Sequence, residues 1–191
     1  LYTRLDVLLL SAWQGEAAAG WYSAAYKIWE AFGLIPSSLL DALLPELARL
    51  ASTDAGQVRL RALFHRWTPA LALGGAALSG AGLVLAEQLM PWLYGPGESY
   101  TPSVASFRVL IWAIPAMFLY LLSGHTLYAL ERQRRVTTAM LIVGVANVGL
   151  NVLVIPRWSY LGVSGVALFS AWLLWALLYV QARRAVREEV T

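Results

Sequence analysis

The chain has 191 residues, a formal net charge of +3 and no cysteine; 59% of its residues are hydrophobic and only 13% are charged. A soluble domain carries roughly 25% charged residues, so the composition excludes an ordinary soluble enzyme and points to a membrane. The missing thiols exclude disulfides, thiolate catalysis and Cys-ligated metals. The two histidines, His65 and His125, lie far apart in different segments and do not make a metal centre.

The charge map carries the topology. Ten of the fourteen Lys and Arg residues fall in three short stretches: 46–66 (Arg49, Arg59, Arg61, Arg66), 131–135 (Arg132, Arg134, Arg135) and 181–189 (Arg183, Arg184, Arg187). The stretches between them, 14–20, 95–102 and 156–160, hold only Arg157. Apolar segments separate the two sets in strict alternation. Cytoplasmic loops carry an excess of basic residues. The pattern predicts an all-α, polytopic transmembrane bundle in the plasma (inner) membrane with its C-terminus in the cytoplasm. Basic residues at membrane-flanking loops, not along a soluble face, also argue against a nucleic-acid partner.

A crossing helix needs about 20 apolar residues. Leu1 to Trp13 is too short, begins without Met and lacks a signal-peptide pattern. It reads as the outer end of a helix that starts upstream. Five full spans follow: Trp21 to Leu44 descending, Trp67 to Tyr94 ascending, Ser103 to Leu130 descending, Val136 to Ile155 ascending and Leu161 to Val180 descending. Trp13, Trp21, Tyr22, Trp92, Tyr94, Tyr100, Trp158 and Tyr160 mark the external ends, and Trp67, Tyr128 and Tyr179 the internal ones, as expected of headgroup-level rings. Tyr94-Gly95-Pro96-Gly97 and Ile155-Pro156 are breakers that end ascending helices. Ser52, Thr53 and Asp54 offer N-caps for a short helix over 57–66. That helix reads as a solvated connector whose basic face, with Arg59 and Arg66, is able to meet anionic headgroups.

The second span carries the most information. Ser23, Lys27, Glu30, Ser37, Ser38 and Asp41 fall within roughly a 100° sector of a 3.6-residue helix, with Pro36 opposite. Ionisable groups at membrane depth are costly and usually face a bundle interior or a watery cavity, so the stripe predicts a cavity wall. The simpler reading is an i,i+3 pair of Lys27 with Glu30, and Asp41 at the interface. Arg4 and Asp6, at i,i+2, do not face each other and each needs its own partner. Arg108 either snorkels to headgroups or faces the cavity. Glu87 is interfacial, and His125 reads as a satisfied structural residue in preference to a proton relay. Gly74, Gly75, Ser79, Gly80 and Gly82 have the spacing that lets helices approach closely. Asn147 and Asn151 share a face at i,i+4, suited to interhelical hydrogen bonds. No catalytic constellation and no cofactor motif is present, so transport is the default function.

Four stretches together resemble one family. They are Arg4-Leu5-Asp6-Val7 with Gly20-Trp21-Tyr22-Ser23-Ala24-Ala25-Tyr26-Lys27; Ile35-Pro36 with Leu44-Pro45-Glu46-Leu47-Ala48-Arg49-Leu50; Leu93-Tyr94-Gly95 with Phe107-Arg108-Val109-Leu110 and Pro115; and Asn147-Val148-Gly149-Leu150-Asn151 through Ile155-Pro156 and Gly162. In this order they resemble the polysaccharide (O-antigen and exopolysaccharide) flippases of the multidrug/oligosaccharidyl-lipid/polysaccharide (MOP) exporter superfamily. Tyr160-Leu161-Gly162-Val163-Ser164-Gly165 departs from the Gly-Ala-Ala common there.

The resemblance implies a two-lobe transporter of which this chain is the C-terminal six-helix lobe, five full spans plus one truncated span. It implies alternating access that carries a polyprenyl-pyrophosphate-linked oligosaccharide to the outer leaflet. Lys27, Arg4 and Arg108 would neutralise the pyrophosphate. Asp6, Glu30 and Asp41 would hold those cations, bind sugar hydroxyls or carry a coupling ion, in a cavity with Ser23 and Ser37. Partners would be the substrate, membrane lipids, the N-terminal lobe and a polysaccharide polymerase. Rival readings are a cation-coupled multidrug antiporter, which an acid-dominated cavity would favour, and a peptidoglycan-precursor flippase. A membrane-embedded polyprenyl-phosphate transferase would need a carboxylate or basic cluster in an external or cytoplasmic loop, and loops 14–20, 95–102 and 156–160 are short and plain. A non-transporting scaffold lobe is the remaining class.

Overall fold

The computed structural model describes residues 5–95 and 100–188. Every regular element among them is helical: α1 (Leu5–Gln14), α2 (Glu16–Ala51), α3 (Asp54–Tyr94), α4 (Thr101–Leu110), a 3₁₀ turn (Ile111–Ala113), α5 (Ile114–Ala129) and α6 (Gln133–Glu188). Four stretches are long and apolar enough to cross a membrane, namely Glu16–Ala51, Asp54–Tyr94, Thr101–Ala129 and Gln133–Arg187. The last is 55 residues long and breaks at Ser159, whose φ of 47° and ψ of −136° leave helical space, so it supplies two crossings. This is an all-α membrane bundle.

Two boundaries differ from the sequence expectation. Residues 57–66 do not form a separate short helix but continue into the third span as one 41-residue helix. No glycine or proline interrupts 57–68, and the first proline, Pro69, follows Thr68, whose hydroxyl bonds back to the Phe64 carbonyl at 2.7 Å. The expected cap does form, for Thr53 Oγ1 accepts the Gly56 N–H at 3.2 Å. At the other site, Pro156 does not end the ascending helix. The chain stays helical for one more turn and reverses at Ser159. Losing one N–H weakens a turn but does not force a reversal; a left-handed residue does.

Packing divides the core between the two ends of the bundle. One cluster joins Leu47, Leu50, Leu60, Phe64, Leu127, Leu130, Val136, Leu178 and Ala185, so the three arginine-rich stretches gather at one end. A second joins Leu10, Ala18, Met90, Phe107, Leu110, Ile155 and Val163, at the ends poor in basic residues. Aromatic pairs reinforce this second end: Trp21 meets Tyr160 edge to face at 5.3 Å, and Tyr94 stacks on Tyr100 at 5.0 Å. Tyr22, expected at headgroup level, is instead fully buried. Its hydroxyl has a carboxylate partner inside the bundle, described below, which makes burial tolerable.

The middle of the bundle is held by α3 against the bent fourth span. Pro115 cannot donate to the Ile111 carbonyl, which would be its helical partner. The Ile114 N–H closes a 3₁₀ turn onto that carbonyl, and Ser79 Oγ on α3 donates to it as well, at 2.7 Å. Gly75, one turn away, lies with its α-carbon face directly on Pro115, where an added Cβ would come within 2.7 Å of the Pro115 Cα. Gly82 meets the side chain of Ile111 and not its backbone, whereas Gly74 and Gly80 face open space.

Candidate functional site

The polar stripe of α2 is the feature that the fold leaves uncovered. Lys27, Glu30, Ser38 and Asp41 are exposed and Ser23 and Ser37 half-buried. The opposite face, with Tyr22, Ala25, Ile28, Pro36 and Leu40, is buried against the other helices. The helix is regular across Pro36, so the stripe continues from Ser23 to Asp41 without a change of face. Lys27 and Glu30 make no ion pair or hydrogen bond among the described residues. Nor does Ser37 reach across the stripe: its hydroxyl donates to the Leu34 carbonyl at 3.1 Å. The i,i+3 pairing is therefore not what occupies these charges.

The inner end of the stripe is tied to α5. His125 is buried, and its Nδ1–H donates to the Leu121 carbonyl at 2.8 Å. A carbonyl only accepts, so Nδ1 carries a proton. Nε2 faces Asp41 Oδ1 at 2.9 Å. One further proton is shared across that contact, making either a histidinium–carboxylate pair or a neutral imidazole beside a carboxylic acid. The Asp41 side chain is still 69% exposed. The site is thus half in the core and half on the stripe. Replacing His125 and Asp41 by alanine singly and together is expected to give a coupling of about 1 kcal/mol, modest because Asp41 is exposed. A double-mutant cycle from chemical unfolding in detergent measures it, and additivity would show that the contact does not join the helices.

Asp6 makes the second carboxylate contact, and here the carboxylate itself is buried. Tyr22 Oη donates to Asp6 Oδ2 at 2.6 Å, and the Val7 N–H donates to Oδ1 at 2.8 Å. Among the described residues, the partner that Asp6 finds is a tyrosine hydroxyl. Asp6 also reaches a small cavity of about 140 Å³ lined by Tyr26, Trp29, Tyr120, Asn147 and Ser170. Asn147 donates to Ser170 Oγ at 2.9 Å across the two halves of α6, and Asn151 donates to Asn147 Oδ1 at 3.0 Å. Among the described residues no cluster of three or more His, Asp or Glu could hold a metal.

Arg108 lies elsewhere. It forms an ion pair with Glu87 at 2.7 Å and lines a groove whose described lining comes from α3, α4, Gly95 and Tyr100. No residue of the α2 stripe lines that groove. Arg4 lies outside the described residues. The stripe itself was legible from helical periodicity. The Asp41–His125 and Asp6–Tyr22 contacts were not, nor was the cavity's use of Tyr26, Trp29, Tyr120 and Ser170. Sequence separations of 84 and 16 residues give no local signal.

Comparison with known proteins decides the family. The sequence profile of the lipid II flippase MurJ matches residues 4–190, nearly the whole chain. The chain belongs to the lipid II flippase MurJ family. A curated relative, the probable flippase AglR of Haloferax volcanii, is 28% identical over 182 residues, which cover 95% of this chain and 38% of that protein. The chain thus spans about two-fifths of the length of the relative it matches. No solved structure matches. The MurJ family lies within the MOP superfamily that the motifs suggested, and its members are flippases, transporters and not enzymes. With its spans, this makes the chain an integral membrane protein.

Proposed function

We propose that this chain is one six-helix lobe, the C-terminal one, of a two-lobe flippase, and that the α2 stripe is its wall of the translocation cavity. The observation that carries this reading is the uncovered run of Lys27, Glu30, Ser38 and Asp41 along one face of a membrane-length helix. A charge at the bilayer centre costs about 2.5–3.5 kcal/mol on insertion scales. A stripe of this length therefore calls for water or a second polar wall, which an opposing lobe supplies. Rocking of two such lobes around a midplane site is a common transport geometry.

The substrate class is a polyprenyl-linked, phosphate-bearing glycan that crosses from the inner to the outer leaflet of the plasma membrane. Lys27 meets the phosphates, Glu30 and the serines meet sugar hydroxyls, and the prenyl tail stays in lipid. Arg4 is a further candidate cation and Asp41 holds a cation or carries a coupling ion, whereas Arg108, paired with Glu87 away from the stripe, and Asp6, held by the Tyr22 hydroxyl, do not join the wall. Arginine-rich ends 46–66, 131–135 and 181–189 face the cytoplasm on this reading, with the C-terminus. Partners are the lipid-linked substrate, the N-terminal lobe and a polysaccharide polymerase.

Two glycans fit. The motif resemblance supports an oligosaccharide for surface polysaccharide, and the family match supports lipid II, the peptidoglycan precursor. Depleting the natural gene in its host and assaying lipid-linked intermediates on the inner leaflet separates them. Accumulation of complete lipid-linked oligosaccharide supports the first, and accumulation of lipid II the second. Normal levels of both, with new sensitivity to cationic drugs, would move the protein to the multidrug branch.

A further inference from the structure

The protons at the inner end of the stripe can be counted. The His125 ring makes two contacts, from Nδ1 to the Leu121 carbonyl at 2.8 Å and from Nε2 to Asp41 Oδ1 at 2.9 Å. Each contact needs a proton, because a carbonyl and an ionised carboxylate only accept. A neutral imidazole carries one ring proton. Beside an ionised Asp41 it therefore leaves one contact with two lone pairs face to face, whichever tautomer it adopts. The arrangement is complete only when the pair holds one proton more. Leu121 lies one turn before His125 on the same helix, so its carbonyl stays beside the ring. Asp41 is on another helix, and its side chain is 69% exposed against 9% for His125. When the extra proton leaves, Asp41 is the group free to swing away. Engaged, Asp41 and His125 together carry no net charge; released, Asp41 adds one negative charge to the wall.

The surroundings leave this proton to the pair alone. Helix α5 packs against α2, α3 and α6. Tyr128 on α5 stands edge-on to the His125 ring at 6.0 Å. His65 on α3 and Tyr179 on α6 both lie against Phe64. Along α2 the flanking charges are Glu30, roughly three turns away, and Glu46, which is held by Arg49. None of these groups bonds Asp41 or His125 among the described residues. Histidine is the side chain whose ordinary titration falls between pH 5 and 8.

We propose that His125 and Asp41 form a one-proton binding site that gates entry of the substrate's phosphates. With the proton held, the inner end of the wall is neutral and admits them. Without it, the free Asp41 carboxylate repels them, and the field is strong because the site is poor in water. His125 is a positioning residue that acts through Asp41. The inference rests on the phosphate-bearing substrate and the cytoplasmic orientation proposed above.

The test uses the natural full-length protein in liposomes at about pH 6 and about pH 8, either side of neutrality. The probe is a fluorescent polyprenyl-pyrophosphate N-acetylglucosamine, and dithionite quenching reads its flipping. Wild type is expected to flip about tenfold faster at the lower pH, the change in occupancy of one proton site with its midpoint between the two. Asp41→Asn should bring that ratio to about one, because an amide both donates and accepts and so pairs with the ring in either state. His125→Ala leaves the carboxylate unheld and should be slow at both pH values. Adding Asp41→Asn to His125→Ala should speed it severalfold at the higher pH, which a merely structural role for His125 does not predict. Nitrogen NMR of histidine-labelled protein, with the His125 signals assigned by their loss in His125→Ala, should show the second ring proton leaving between the two pH values. A wild-type ratio near one, an unchanged ratio in Asp41→Asn, no rescue of His125→Ala, or a constant proton count on the His125 ring would overturn the proposal. If the probe is not flipped at either pH while the ring still loses its proton and Asp41→Asn shifts that loss, the proton site stands and the substrate reading falls.

Discussion

Replacing Lys27 with alanine is expected to reduce flipping by roughly ten- to a hundredfold while the protein still inserts and folds. The magnitude follows from losing one hydrogen bond to a charged group, about 1.5–3 kcal/mol, at a rate of tenfold per 1.4 kcal/mol. Insertion should survive because Lys27 is exposed and holds no partner among the described residues. Lys27→Arg keeps the charge and should retain most activity. The measurement is complementation of the deleted gene, with membrane levels of each variant checked beside it. Full activity of Lys27→Ala at normal levels would remove the stripe from the substrate path. A loss of protein from the membrane would instead mean that Lys27 supports assembly.

Gly75→Ala is expected to destabilise the bundle by about 1–3 kcal/mol, the usual cost of overpacking. The added methyl would meet the backbone of Pro115 at 2.7 Å, and backbone cannot rotate aside as a side chain can. Gly74→Ala, one residue away, faces open space and should be neutral or slightly stabilising. Ser79→Ala belongs to the same contact. It removes the hydroxyl that bonds the Ile111 carbonyl and should cost about 0.5–1.5 kcal/mol. Unfolding of purified protein in one detergent, compared across the three variants, checks the order. If Gly75→Ala and Gly74→Ala behaved alike, α3 would not pack on Pro115 as described.

These two expectations differ in kind. Lys27 acts on an exposed face, so its effect belongs to function. Gly75 acts where two backbones meet, so its effect belongs to stability. Helical period alone places both residues on informative faces, yet leaves the five small residues of the third span equivalent. The fold separates them: Gly75, Ser79 and Gly82 touch the bent fourth span, and Gly74 and Gly80 do not. Spacing names a face of a helix, but only the crossing position of the neighbouring helix selects which turn is in contact.

The class, the five spans, the clustering of arginines at alternate loops and the single polar face of α2 are legible in the amino-acid order alone. Each of these is a local property, set by hydropathy over one helix length or by a 3.6-residue period, and needs no knowledge of neighbours. Helix continuity was less legible, because a proline such as Pro156 weakens a turn without fixing where the chain reverses, and Ser159 took that role. The contacts of Asp41 with His125, of Asp6 with Tyr22, and of Arg108 with Glu87 away from the stripe emerge only from the packing of the helices. The packing also leaves the stripe on the uncovered side of the bundle. The reason is physical: a polar group's partner depends on where two helices cross, and that is set by the packing of many apolar side chains, not by the residues that end up bonded.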